Sequence, residues 1–260
     1  MDTVYYAYAV ALGLIFGSFL NVLIYRLPRN KEIVFARSAC PDCSHQIAWY
    51  HNIPLLGYIW LRGKCAHCRK PISIRYPLVE AANAAMYCFF YWRFGASIDT
   101  IVFSALGSAL IVIFLIDAEF QIIPDSITLP GTVVGLGVSF VPAGITPVQS
   151  LIGILVGGGV LYLIALAGDF LFKKESMGGG DIKMAAMLGA FLGWQKVVLI
   201  FMTSAVVGLV VSLVMMAFSQ VLRKERLIPF GPFLSIAAVI AVAYGDQIIR
   251  YYVDNFLTRH

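Results

Sequence analysis

Ile111-Val112-Ile113-Phe114-Leu115-Ile116-Asp117-Ala118-Glu119-Phe120 is an apolar run that ends on a carboxylate. Read upstream to residue 99, the run reaches the roughly 20 residues that a helix needs to cross a bilayer. A carboxylate at the end of such a span is costly to desolvate, so its presence points to chemistry. A second acid has a similar setting: Gly178-Gly179-Gly180-Asp181 opens another apolar stretch.

The chain around these acids is membrane-like throughout. It is 60% hydrophobic and 13% charged, with a mean hydropathy of +0.84, whereas soluble domains are about 45–50% apolar. Apolar runs lie near 4–25, 76–95, 99–117, 127–145, 148–172, 182–195, 196–218 and 229–250. The expected fold class is therefore all-α, a polytopic transmembrane helical bundle of about eight spans. The opening MDTVYYAYAV has no basic stretch before its apolar run and no small-residue cleavage pattern after it, so it reads as a retained helix. Gly13, Gly17 and Gly157-Gly158-Gly159 suit close helix contact, because small residues let backbones approach in lipid.

Positively charged loops stay on the cytoplasmic side. With eight spans and the N-terminus outside, 15 of the 19 Lys and Arg residues fall on that side, leaving Arg93, Lys196, Arg250 and Arg259 outside. This topology puts Asp117 and Asp181 at one cytoplasmic face. The net charge of +5 then reflects topology and anionic lipid rather than nucleic acid.

Between the first two spans lies a long polar insert. The expected domains are the first transmembrane helix at 1–25, a cytoplasmic insert at 26–75 and a transmembrane core at 76–260. The insert carries Cys40-Pro41-Asp42-Cys43 and Cys65-Ala66-His67-Cys68, two CxxC pairs with 21 residues between them. That spacing is close to a four-cysteine zinc site. A segment of about 50 residues holds too little core to fold alone, and bound metal supplies the missing stability. Disulfides are the alternative, disfavoured on a reducing cytoplasmic side. His45 and His67 are substitute ligands or exposed loop residues. Cys88, in the second span, reads as packing.

Two carboxyls that share a proton can hydrolyse a peptide bond without a nucleophilic side chain. One deprotonates water while the other protonates the carbonyl or the leaving amine, and the pair titrates as a unit. The glycines before Asp181 give backbone freedom and let a substrate strand approach closely. Asp181 is also a plausible N-cap of its span, a role compatible with catalysis. Pro124-Asp125-Ser126 reads as a loop end with Asp125 as N-cap. Glu119 reads as a solvated charge able to attract a basic segment, and Lys183 as a partner of Asp181 or of a lipid phosphate. Glu80 and Asp169 are expected to pair with Arg75, Lys173 or Lys174.

The chain resembles the type IV prepilin peptidases, also called prepilin leader peptidase/N-methyltransferases, which are inner-membrane aspartic proteases with a GxGD signature. The resemblance rests on Gly17-Ser18-Phe19-Leu20-Asn21-Val22-Leu23-Ile24-Tyr25-Arg26-Leu27-Pro28, on the two CxxC pairs with Trp49-Tyr50-His51-Asn52-Ile53-Pro54 between them, and on Arg75-Tyr76-Pro77-Leu78-Val79-Glu80. The stretches Asp117–Asp125 and Gly178–Lys183 complete it. It implies that Asp117 and Asp181 are the catalytic pair, supported by Gly178, Gly180, Asp125, Glu119 and Lys183. It further implies that type IV prepilins or type II secretion pseudopilins are cut at the cytoplasmic face, after a glycine that precedes an apolar helix. N-methylation of the new amine with S-adenosylmethionine is implied as well. No GxGxxG follows a strand-like stretch, so the cofactor is expected between the insert and the cytoplasmic helix ends. The rival classes are a proton-coupled transporter, for which intramembrane acids and broken helices also fit, and a non-catalytic scaffold built on the zinc loop.

Overall fold

The computed structural model describes residues 2–33, 38–141, 144–173, 177–218 and 229–257. Arg37, Lys174, Arg223, Lys224, Arg226 and Arg259, which the charge reading counts, lie outside them. The described residues are helical, with no strand beyond two isolated bridges. Eight α-helices follow in order: α1 Asp2–Arg26, α2 Leu56–Trp60, α3 Arg75–Phe94, α4 Ile98–Phe120, α5 Asp125–Val138, α6 Pro147–Phe172, α7 Gly179–Phe218 and α8 Gly231–Tyr252. By contacts the chain divides into two compact units, Met1–Val112 and Ile113–His260.

Among the described residues, five helical stretches are long and apolar enough to cross a membrane: Asp2–Arg29, Ile98–Phe120, Pro147–Leu171, Gly179–Val214 and Gly231–Phe256. The chain is a multi-pass membrane protein. Helix α3 is as long as a span but carries Arg75, Glu80 and Arg93. Helix α5 stops at Val138, short of the expected residue 145. There Ser139 Oγ donates to the Leu136 carbonyl at 2.6 Å, a side-chain bond that competes with helix continuation.

In the N-terminal unit, α1 and α3 run antiparallel with almost nothing between their backbones. A Cβ on Gly13 would lie 2.5 Å from Ala84 Cα, and one on Gly17 would lie 2.7 Å from Glu80 Cα. Polar groups replace the missing side-chain bulk. Asn83, fully buried, donates to the Gly13 carbonyl at 2.7 Å and accepts from Ser108 Oγ at 2.8 Å, which fastens α1, α3 and α4 at one level. Such hydrogen bonds and small-residue contacts hold helices together where lipid removes the hydrophobic drive.

In the C-terminal unit, α6 packs on the first part of α7 through Gly153 against Gly189 and Gly157 against Ala185, again backbone to backbone. Gly159, on the same helix, faces open space. Helix α7 breaks at Gly193, with φ 77° and ψ 169°, and the contacts on either side require a reversal there. Gly180 touches Ile123, Ile123 touches Gly231, and Phe233 touches Gly208, so residues 180 and 208 lie at one end of α8. Lys196 meets Gly245 and pairs with Asp246 at 2.9 Å, some 14 residues and about 21 Å further along α8. The sequence expectation of separate sixth and seventh spans agrees with this turn. The pair with Lys196 also accounts for Asp246 in an apolar helix.

These contacts make a contrast testable. Gly153→Val should push the Gly189 carbonyl aside and destabilise the detergent-solubilised protein by about 1–3 kcal/mol or more. Gly159→Ala should not lower the melting temperature. Equal melting curves for the two variants would contradict the packing.

Candidate active site and candidate metal centre

Asp117 stands in the last turn of α4 and is 5% exposed. The helix ends just beyond it because Gln121 turns left-handed at φ 56° while its N–H still reaches the Asp117 carbonyl at 2.9 Å. Pro124 then restarts the chain as α5. The buried carboxylate is met by a residue far away in sequence: Gly231, the first residue of α8, donates its backbone N–H to Asp117 Oδ2 at 2.9 Å. First-turn amides have no partner within their own helix, so this one is free for the acid. A Cβ at position 231 would lie 2.6 Å from Asp117 Oδ2, which leaves room for glycine alone.

Asp181 reaches the same place from α7. Its N–H donates to the Gly178 carbonyl at 3.1 Å, so the glycine run forms the turn into the helix. Gly180 lies against Ile123, where a Cβ would come within 2.8 Å of the Ile123 Cβ. Ile123, 8% exposed, also lies beside Gly231. It therefore gathers the starts of α7 and α8 around the end of α4. Asp181 is close enough for the Asp117 charge to act on it, and its Oδ1 is buried with no hydrogen-bond partner among the described residues. That oxygen caps nothing, since Asp181 already lies within the first turn of α7.

Asp125 takes a role that differs from the sequence expectation. The N-cap of α5 is Pro124, with no side-chain cap bond, and Asp125 is the next residue. Its carboxylate pairs instead with Lys183 Nζ at 2.6 Å, which takes the place of the capping role expected for Asp125. Both side chains are about half exposed, so the pair adds only about 0–1 kcal/mol, yet it ties the start of α5 to the start of α7. Glu119 is exposed in the last turn of α4. Sequence reasoning missed Gly231 and Ile123. Pro229-Phe230-Gly231-Pro232 was the available signal, a glycine between prolines at a helix start.

In the N-terminal unit, the two CxxC pairs fold as the same turn used twice. Cys40 donates to the His45 carbonyl and accepts from Ser44 N–H; Cys65 donates to the Lys70 carbonyl and accepts from Arg69 N–H. Ser44 and Arg69 are both left-handed, at φ 55° and 60°, and isolated bridges Ala39–Gln46 and Lys64–Pro71 close the two turns. The four sulfurs lie within 4.8 Å of one another, with Cys40 and Cys68 3.9 Å apart and all free thiols. A tetrahedron with metal–sulfur bonds of about 2.3 Å has edges of about 3.8 Å, so the cluster can hold a metal ion. Backbone amides of Cys68 and His67 pull the Cys65 thiol down to about 6, while, against the backbone amide of His45, burial and bonds with the other three thiols hold Cys43 up at about 11, so the thiolate that metals bind forms first at Cys65. His45 and His67 stack on each other, with centroids 4.4 Å apart, and stand outside the ligand set. Asp42 and Lys70 pair across the two turns at 2.8 Å.

Beside the cluster, the insert and the ends of α1 and α3 enclose a cavity of about 860 Å³. Glu80 lines it, and among the described residues it is not paired with a lysine or arginine as the sequence suggested. It accepts the N–H of Leu55 at 2.8 Å, where the chain is left-handed at φ 59°. Cys88 lies apart from the cluster, half-buried in α3.

Residues 11–94 match the model of the bacterial peptidase A24 N-terminal domain, and residues 104–213 match that of the type IV leader peptidase family. The chain is 38% identical to a prepilin leader peptidase/N-methyltransferase of Pseudomonas putida, over 92% of this chain and 91% of that protein. It is 35% identical to the protein of that name from Aeromonas hydrophila, over 97% and 95%, and 37% identical to that from Neisseria gonorrhoeae, over 93% and 91%. No solved structure is significantly similar to the chain. With both family models matched and relatives aligned over nearly their whole lengths, the chain belongs to the type IV leader peptidase family.

Proposed function

We propose that the protein is a membrane aspartic endopeptidase that removes the leader of type IV prepilins or pseudopilins and then N-methylates the new N-terminus. The observation that carries the hydrolytic half is that Ile123 packs on both Gly180 and Gly231, which brings Asp181 at the start of α7 to the end of α4, where Gly231 holds Asp117. One carboxyl oxygen holds an amide donor from Gly231 and another has none, so the two acids are chemically unequal, as a pair sharing one proton requires. One deprotonates the attacking water and the other protonates the departing amine. The relatives reported above carry the name prepilin leader peptidase/N-methyltransferase, and all five cysteines of the sequence lie in its first half.

A prepilin's apolar helix would lie in the bilayer with its basic leader outside it, bringing the scissile bond to the level of the two acids. The distribution of basic residues supports a bacterial inner-membrane topology with the N-terminus outside and this site facing the cytoplasm, and it favours contact with anionic lipid over nucleic acid. Glu119, exposed in the last turn of α4, is placed to attract a basic leader, and Asp125 pairs with Lys183. Residues 26–75 form a cytoplasmic insert that Cys40, Cys43, Cys65 and Cys68 would stabilise through structural zinc. Zinc suits four thiolates in a closed tetrahedral set. S-adenosylmethionine, when bound, supplies an electrophilic methyl group for the second activity.

Asp117→Asn and Asp181→Asn should each cut prepilin cleavage by about 10²–10⁴-fold in a detergent assay read by product mass. Cleavage at the native rate by either variant would exclude the mechanism. Freshly purified, reduced protein should carry one zinc per chain, lost in Cys65→Ser, with methylation or expression falling more than hydrolysis. A metal-free wild-type preparation would refute the zinc site.

A further inference from the structure

The insert carries one apolar stretch that the metal site does not explain. Ile53-Pro54-Leu55-Leu56-Gly57-Tyr58-Ile59-Trp60-Leu61 is uncharged, ends just before Arg62 and is too short to span a bilayer. Within it Leu56, Ile59 and Trp60 share one face of α2 at helical spacing, and they are 62%, 68% and 83% exposed. Another face of the same helix is closed, with Gly57 seated against the His51 carbonyl. Three large apolar side chains on one turn mark a surface that meets something other than water.

Their depth along the span says what that is. The Leu55 N–H donates to Glu80 Oε2 at 2.8 Å, and Glu80 lies against Gly17 of α1. From Arg26, where α1 ends, Gly17 is about 13 Å back along the helix, in a stretch with no charge between Asp2 and Arg26. Asn52 and Pro54 line one cleft with Ile15, Ser18 and Phe19 of α1, and Ile15 and Phe19 are half exposed at that level. The insert therefore turns back beside a membrane span. Irregular backbone survives at such depth only when the protein itself satisfies its polar groups, and here it does. Pro54 has no N–H, Leu55 gives its own to Glu80, and the carbonyls of Ile53, Pro54 and Leu55 accept from Gly57, Leu56 and Ile59 at 2.8, 2.6 and 3.0 Å. Arg62 and Lys64 follow at once and are exposed, as suits long basic chains that reach from apolar depth to anionic headgroups. We propose that residues 53–61 form a re-entrant anchor, in which Leu56, Ile59 and Trp60 dip into the acyl chains beside α1 while Arg62 and Lys64 meet anionic headgroups. The insert is then held against the bilayer instead of projecting from it, and the second cysteine turn, beginning at Cys65, sits at the membrane surface. The depth is independent of the peptidase reading; that the leaflet is the cytoplasmic one rests on the topology proposed above.

The test places the full-length, zinc-loaded protein in vesicles of phosphatidylcholine and phosphatidylglycerol. Trp49→Phe, Trp92→Phe and Trp194→Phe together leave Trp60 as the sole tryptophan. With zinc content and melting temperature retained, Trp60 should lose most of its emission to lipids brominated in the acyl chain and little to iodide in the water. Emission that acyl bromine leaves unchanged overturns the proposal, whether iodide quenches it or neither quencher reaches it. Emission indifferent to bromine but shielded from iodide once prepilin is added also overturns it, and makes the face a substrate dock. Should the triple variant lose zinc or melt early, photolabelling of the wild-type protein from a lipid with an acyl-chain diazirine decides. Label on residues 53–61 as well as on residues 15–19 supports the anchor. Label on residues 15–19 without residues 53–61 overturns it.

Discussion

A carboxylate buried at the end of an apolar helix needs a donor, and for Asp117 that donor is the N–H of Gly231 at 2.9 Å. The solution draws on the one class of amide that a helix leaves unsatisfied, at the first turn of α8, where the helix dipole also favours negative charge. It imposes a steric condition as well, because any side chain at position 231 would collide with the acid it serves. The starts of α7 and α8 and the end of α4 are therefore fixed relative to one another, with Ile123 as the apolar wedge that touches both glycines.

Glycine does the corresponding work across each unit. In lipid, helices gain little by hiding apolar surface from one another, so close backbone approach and buried hydrogen bonds decide which faces meet. The contact of Gly153 with Gly189, and that of Gly13 with Ala84, are of this kind. At Gly193 the same residue type has another use, since φ of 77° reverses the chain between two helical stretches that each pack on different neighbours. A reversal there returns α7 toward the end that holds Asp181.

Much of this was legible in the sequence because it is encoded locally. Apolar runs of helix length, the two CxxC pairs and the glycine run before Asp181 each announce themselves within a few residues. The partners do not. Asp117 and Gly231 are 114 positions apart, Asp125 and Lys183 are 58, and Glu80 and Leu55 are 25, so no periodicity connects them. The capping role expected for Asp125 was a sound local inference that lost to a lysine brought in by the fold. Helix α5 ended early for a different reason, a serine hydroxyl competing for a backbone carbonyl.

The proposed chemistry requires two acids to behave as one titrating device; an amide serves the first, and an oxygen of the second has no partner among the described residues. The most direct measurement is cleavage of a prepilin by the double variant Asp117→Asn/Asp181→Asn set beside the two single variants. Groups that act as a unit are grossly non-additive, so the double variant should retain the same residual rate as either single one. Losses that multiply would show two acids working independently and would contradict the shared proton.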